Sequence, residues 1–305
     1  MSDKTFSWPN ALKIGFHLSV AGGPQKIFDR YRERFCHSLQ LFVGSPRVWK
    51  RTSFSSGFLK EFHQGREAAG NPPLIVHTGY LINLASANPV VRERSIALLR
   101  AEYQLAKTLQ ADFLVQHMGS CPDAEKGMKW MIANLNVALA DIADCGPLLL
   151  LENTAGERND LGGTVEQMAE VRAVLDFPSG VCLDTCHAFQ AGYDLAKAPG
   201  RKALLQKLKV RLGLKTVRVI HLNDSLNPLA AHHDRHQHID SGYIGGPALA
   251  AFLQDSQFHG CPVILETPQD PSGDPHLEHK NLEALRVAFA PKKTRGPVEP
   301  RAGKR

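Results

Sequence analysis

The chain has 305 residues, 43% of them hydrophobic, with a formal net charge of +6. That length and composition fit a soluble globular protein with a sizeable core, and no apolar run approaches the roughly 20 residues of a membrane helix. The opening stretch MSDKTFSWPNALK has no apolar export segment, so a cytoplasmic protein with reduced thiols at Cys36, Cys121, Cys145, Cys182, Cys186 and Cys261 is expected. The charge does not identify a partner. After Pro291 the tail KKTRGPVEPRAGKR holds six basic residues against Glu299, which accounts for +5 of the total and leaves the body near +1. This tail, residues 291–305, reads as a basic disordered end to a single catalytic domain over residues 1–290.

Along the chain one phrase recurs: a short apolar run, one polar residue with useful chemistry, then a loop. KIGFH closes on His17, SLQLFV precedes Gly44, PLIVH closes on His77 and ADFLVQH on His117. LLLLE closes on Glu152, GVCLD on Asp184, VRVIH on His221 and PVILE on Glu266. Continuous apolar runs of this length suit strands buried on both faces of a parallel sheet. Between them, residues 91–109, 125–143, 195–212, 247–256 and 280–289 place apolar residues at helical intervals, and Thr164 with Gln167 forms a capping-box pattern ahead of another helix. The landmarks 77, 117, 152, 184, 221 and 266 lie 40, 35, 32, 37 and 45 residues apart, about one strand and one crossover helix each. Eight such units make an α/β fold, a single (β/α)8 TIM barrel, with an open doubly wound sheet as the alternative.

Barrels of this kind build their sites on the C-terminal ends of the strands, which brings the closing polar residues together. The six runs from residue 77 onward close on His, Asp or Glu, and His187, Asp234 and His236 lie in the loops that follow. A lone strand-end histidine is more often structural, but charged groups at the ends of buried strands are costly unless paired or coordinated. The set His77, His117, Glu152, Asp184, His187, His221, Asp234, His236 and Glu266 is therefore read as a multinuclear metal site. Mixed imidazole and carboxylate donors suit zinc, manganese or iron better than calcium or magnesium. Nine ligands exceed the need of one tetrahedral ion and fit three that share a bridging carboxylate. His187, three residues after Asp184, is expected to turn into a loop; Asp234 and His236 share one side of an extended segment. His232, His233 and His238 are nearby competitors, and Cys182 and Cys186 are read as packing residues rather than ligands.

The phrases GFHLSVAGG, HTGYLINLAS, LLLENTAG, GVCLDTCHAFQAGYDL, VIHLNDSLNP, DRHQHIDSGYIG and VILETP closely resemble the endonuclease IV family of abasic-site DNA endonucleases. They run from His17 to Pro268, nearly the whole chain except the tail. The resemblance implies a zinc-dependent barrel that cuts double-stranded DNA on the 5′ side of an abasic site, leaving a 3′-hydroxyl and a 5′-deoxyribose phosphate. It implies three zinc ions, for which manganese or iron can substitute: one on His77, His117 and Glu152, a second sharing Glu152 with Asp184, His221 and Glu266, a third on His187, Asp234 and His236. Glu152 is the implied catalytic bridge, with a hydroxide between the two ions it joins. Arg47 and Tyr80 match positions that enter the helix at the lesion, and a monomer is expected. Asn83, Asn153, Asn223 and Asp224 are candidates for orienting ligands.

The chain departs from the family pattern at HTGY and HMGS, where the family usually has proline near the histidine, and at LAAHHDRH, where it usually has Gly-Ser-Arg-Val before Asp-Arg-His. These leave the ligands in place but alter loop stiffness and remove an arginine. The rivals are a sugar isomerase or epimerase on the same barrel, which holds one or two metals and has no use for the third trio, and a DNA-binding protein without catalysis.

Overall fold

The computed structural model describes residues 7–143 and 146–290; Cys145 and the basic tail lie outside the described residues. The apolar phrases form β1 (Lys13–His17), β2 (Ser38–Leu41), β3 (Leu74–His77), β4 (Phe113–His117), β5 (Leu148–Glu152), β6 (Ser179–Asp184) and β7 (Val217–His221). A two-residue pair, β8 (Asp224–Ser225) and β9 (His236–Gln237), intervenes before β10 (Pro262–Leu265). Among the described residues, eight strands close in the order β1-β10-β7-β6-β5-β4-β3-β2, all neighbours parallel, which removes the open-sheet alternative.

The strands are joined by α1 (Gly23–Glu33), α2 (Ser56–Ala68), α3 (Pro89–Thr108), α4 (Ala124–Leu139), α5 (Val165–Ala173), α6 (Thr185–Gln190), α7 (Ala198–Arg211) and α8 (Gly246–Leu253), and α9 (His276–Phe289) follows β10. Thr164 does cap α5, accepting from the Gln167 amide, but the Gln167 side chain accepts from the Gly162 amide instead of returning to Thr164. Among the described residues no helix is long and apolar enough to cross a membrane.

What positions the site is the alternation of side chains along each strand. A layer of Ile75, Val115, Leu150, Cys182, Val219 and Ile264 fills the barrel interior. Two residues further along the same strands stand His77, His117, Glu152, Asp184, His221 and Glu266, so the period of two aims all six at the barrel axis, one layer above the apolar plug. Glu266 falls just past the end of β10. On β1 and β2 the same register carries Gly15 and Ser38 below, then His17 and Gln40 above. Gly15 is required there, since a Cβ would lie 1.9 Å from the Ser38 carbonyl oxygen.

Candidate metal centre

Glu152 is fully buried at the centre of the ring. Its Oε2 lies 3.1 Å from His77 Nε2 and 3.1 Å from His117 Nε2, and its Oε1 lies 2.8 Å from His221 Nδ1. His221 Nδ1 also lies 3.2 Å from Glu266 Oε2. On the more open side, Asp234 Oδ1 stands 3.1 Å from His187 Nε2 and 3.3 Å from His236 Nε2, while those two nitrogens are 3.4 Å apart. The donor atoms of His77, His117 and Glu152 thus form one compact group, those of Glu152, Asp184, His221 and Glu266 a second, and those of His187, Asp234 and His236 a third. Cys182 and Cys186 also approach ligand groups, as members of Glu152-Cys182-His221 and Asp184-Cys186-His236 clusters. Burial pushes the Cys182 thiol up to about 12 and raises that of Cys186, which disfavours the thiolate a metal needs.

The chemistry of these groups can be read from the far side of each imidazole. His77 Nδ1 donates to the Thr78 carbonyl at 2.8 Å, His187 Nδ1 to the Asn153 carbonyl at 2.9 Å, and His236 Nδ1 to the Glu266 carbonyl at 3.2 Å. His221 donates through Nε2 to Gln40 Oε1 at 2.8 Å. With those protons fixed outward, each ring when neutral turns a lone pair inward, where it meets carboxylate oxygens and, between His187 and His236, another lone pair. Acceptors facing acceptors at these distances need cations between them, so the donor set fits divalent metals. The electrostatics agree. Burial opposes charge on His187 and His221, yet their neighbours, Asp184 and Asp234 for His187 and Cys182, Glu266 and Glu152 for His221, hold both well above the ordinary histidine range, so that a proton fills the inward position where no other cation does. Burial likewise opposes the charge on Glu152, and His117 and His221 override it, keeping that carboxyl well below its ordinary value. A field that favours positive charge this strongly favours bound cations.

The surrounding polar side chains hold the candidate ligands in place. Asp184 caps α6: its Oδ1 accepts from the His187 amide at 2.7 Å, which fixes His187 on the first turn of a helix and not in the loop expected of it. Asn223 Nδ2 donates to Asp184 Oδ2 at 2.7 Å, and Asn153 Oδ1 accepts from the Asp184 amide at 2.8 Å. The other two candidates act differently. Asn83 joins the β3 and β4 loops through Ser120, and Asp224 accepts from the amides of Gly242, Ile244 and Gly245. Of the competing histidines, His232 bonds the Ala155 carbonyl, His233 lies near Glu157 and His238 meets Asn281.

His17 and Gln40 are absent from the ligand set read from sequence, yet they complete the ring. Gln40 Nε2 donates to Glu266 Oε1 at 2.6 Å and approaches His17 Nδ1 at 3.0 Å. The alternation along β1 and β2 is the signal that could have found them. Above the ring opens a cavity of about 310 Å³, lined in part by His17, Phe42, Tyr80, Thr267 and Gln269. Tyr80 is exposed at its rim, its ring edge-on to Phe42 with centroids 5.3 Å apart, and Arg47 is exposed on the neighbouring loop.

A barrel with clustered histidine and carboxylate donor groups at its mouth defines the class, and comparison places the chain within it. Residues 31–288 match the family described as xylose isomerase-like TIM barrel. Relatives include the probable endonuclease 4 of Solibacter usitatus, 37% identical over 90% of this chain and 96% of the relative. That of Halothermothrix orenii is 37% identical over 89% of this chain and 99% of the relative. Among solved structures, endonuclease IV from Thermus thermophilus superposes with a TM-score of 0.79 at 34% identity, covering 91% of this chain and 98% of that one. The chain belongs to the endonuclease IV family. A D-tagatose 3-epimerase-like protein superposes with a TM-score of 0.66 at 20% identity, a likeness of fold alone.

Proposed function

We propose that this chain hydrolyses the phosphodiester bond on the 5′ side of abasic sites in double-stranded DNA, leaving a 3′-hydroxyl and a 5′-deoxyribose phosphate. We further propose that three zinc ions are held by His77, His117 and Glu152; by Glu152, Asp184, His221 and Glu266; and by His187, Asp234 and His236. The observation that carries this reading is the three converging donor groups, two of which share Glu152. Relatives named endonuclease 4 across nearly the full length support the substrate class.

Bound there, the ions would supply Lewis acidity to the phosphodiester and activate water for attack on phosphorus. The chain's residues do the rest. Glu152, itself fully buried, presents one oxygen to each of two donor groups, so its position is fixed before substrate arrives. Gln40 sets the His221 tautomer and steadies Glu266, while Asn153 and Asn223 hold Asp184. An abasic nucleotide must leave the helix to reach a recessed centre, and side chains at the rim take the vacated space. Tyr80 and Arg47, both exposed, are the side chains assigned that role in this reading. The third donor group favours a nuclease over an epimerase on this barrel, because it lies on the open side of the mouth and adds an ion that sugar enolisation does not need. The test is incision of a duplex carrying one abasic analogue, before and after chelator treatment. The proposal expects a single nick 5′ to the lesion that chelation abolishes and zinc restores; an intact duplex from the metal-loaded protein would overturn it.

A further inference from the structure

The loop of residues 44–51 carries Arg47, and the turn after β3 carries Tyr80. The two are joined beneath the surface by an ion pair. Arg51 Nη2 lies 2.5 Å from Glu102 Oε1 of α3, with both side chains almost wholly buried. The other guanidinium nitrogen, Nη1, donates to the Val48 carbonyl at 2.6 Å, one residue from Arg47. The second Glu102 oxygen, Oε2, accepts from the Gly79 amide at 2.9 Å, one residue from Tyr80. One planar arginine and one carboxylate thus tie both rim elements to the same turn of α3. A second contact holds the loop to the same helix, with the Arg94 guanidinium 5.9 Å from the Trp49 ring.

Gly79 is what admits this arrangement. A Cβ there would lie 2.8 Å from Arg51 Nη2 and 3.1 Å from Glu102 Oε1. A proline at the same place would have no amide proton for Glu102. The HTGY phrase therefore gives up the rigidity of a proline turn, and the buried pair supplies rigidity of another kind.

We propose that Arg51 and Glu102 form a clamp that sets Arg47 and Tyr80 in one register for the abasic helix; they are positioning residues, and the inference rests on the function proposed above. Misplacing a positioning group by about 1 Å costs up to ~10²-fold. Arg51→Met is therefore expected to raise KM for abasic duplex by roughly 10- to 100-fold, with kcat within about twofold and metal content unchanged, the signature of lost binding rather than lost chemistry. Because this variant leaves Glu102 buried and unpaired, the double variant Arg51→Met/Glu102→Met keeps the fold testable: it should melt nearer the wild type and retain the raised KM. In an Arg47→Ala/Tyr80→Ala background, adding Arg51→Met should change KM by less than about twofold, since coupled residues are not additive. A wild-type KM in the double variant, a kcat loss as large as the KM change, or a full Arg51 effect without Arg47 and Tyr80 would each overturn the clamp while leaving the nuclease reading intact. A wild-type protein that fails to incise abasic duplex would overturn that reading and the clamp with it.

Discussion

Glu152→Gln is expected to lower abasic-site incision by ~10³-fold or more and to reduce the metal bound per chain, with little change in fold. The substitution keeps shape and volume but replaces one anionic oxygen with an NH2 group. Glu152 has no idle oxygen: Oε2 serves His77 and His117, and Oε1 serves His221. Whichever way the amide turns, a donor is aimed at a point where two or three acceptors need a cation. Lewis-acid stabilisation of a phosphoryl transition state is worth several kcal/mol, and each 1.36 kcal/mol is a factor of ten, which sets the ~10³-fold figure. The measurement is single-turnover incision alongside metal analysis and a thermal melt. A variant that cuts at the wild-type rate would show that Glu152 bridges nothing.

Asp234→Asn tests the part of the site that separates a nuclease from a sugar-converting barrel. Asp234 contributes the only carboxylate of the third group, with its side chain 46% exposed, so the asparagine should be tolerated structurally. Without that charge, His187 Nε2 and His236 Nε2 lose the carboxylate they share, Asp184 Oδ2 being left 3.6 Å from His236 Nε2, and the third ion should be lost while the two sharing Glu152 remain. Removing preorganised charge stabilisation at a reacting oxygen typically costs ~10²–10³-fold, and a fall of that size in incision is expected here. Unchanged metal content together with unchanged incision would remove the third group from the mechanism.

The fold and the convergence of the candidate ligands are legible in the sequence for the same reason. A buried parallel strand reads as an apolar run, and its last inward-facing residue sits at the barrel mouth, so His77, His117, Glu152, Asp184 and His221 announce themselves as polar ends of apolar phrases. The same alternation places Gln40 in the ring, but a neutral amide two residues before Phe42 carries no charge cost that would single it out. Helices α1 and α2 escape a reading by periodicity, because Gly22, Gly23 and Pro24 at the start of one and Gly57 and Gly65 within the other read as loop signals. His187 reads as a loop residue only while Asp184 is weighed as a ligand alone; that aspartate also caps the helix that carries His187. The pairing of Arg51 with Glu102 spans 51 residues and leaves no local trace; only folding brings the Arg47 loop and α3 together.

If nine residues hold three ions, the ions should be countable in the protein itself, purified without added chelator and freed of loosely bound metal by gel filtration. Elemental analysis should find close to three divalent ions per chain, zinc predominating. One ion or none, in a protein that nonetheless incises abasic duplex, would show that the three donor groups do not form a trinuclear centre.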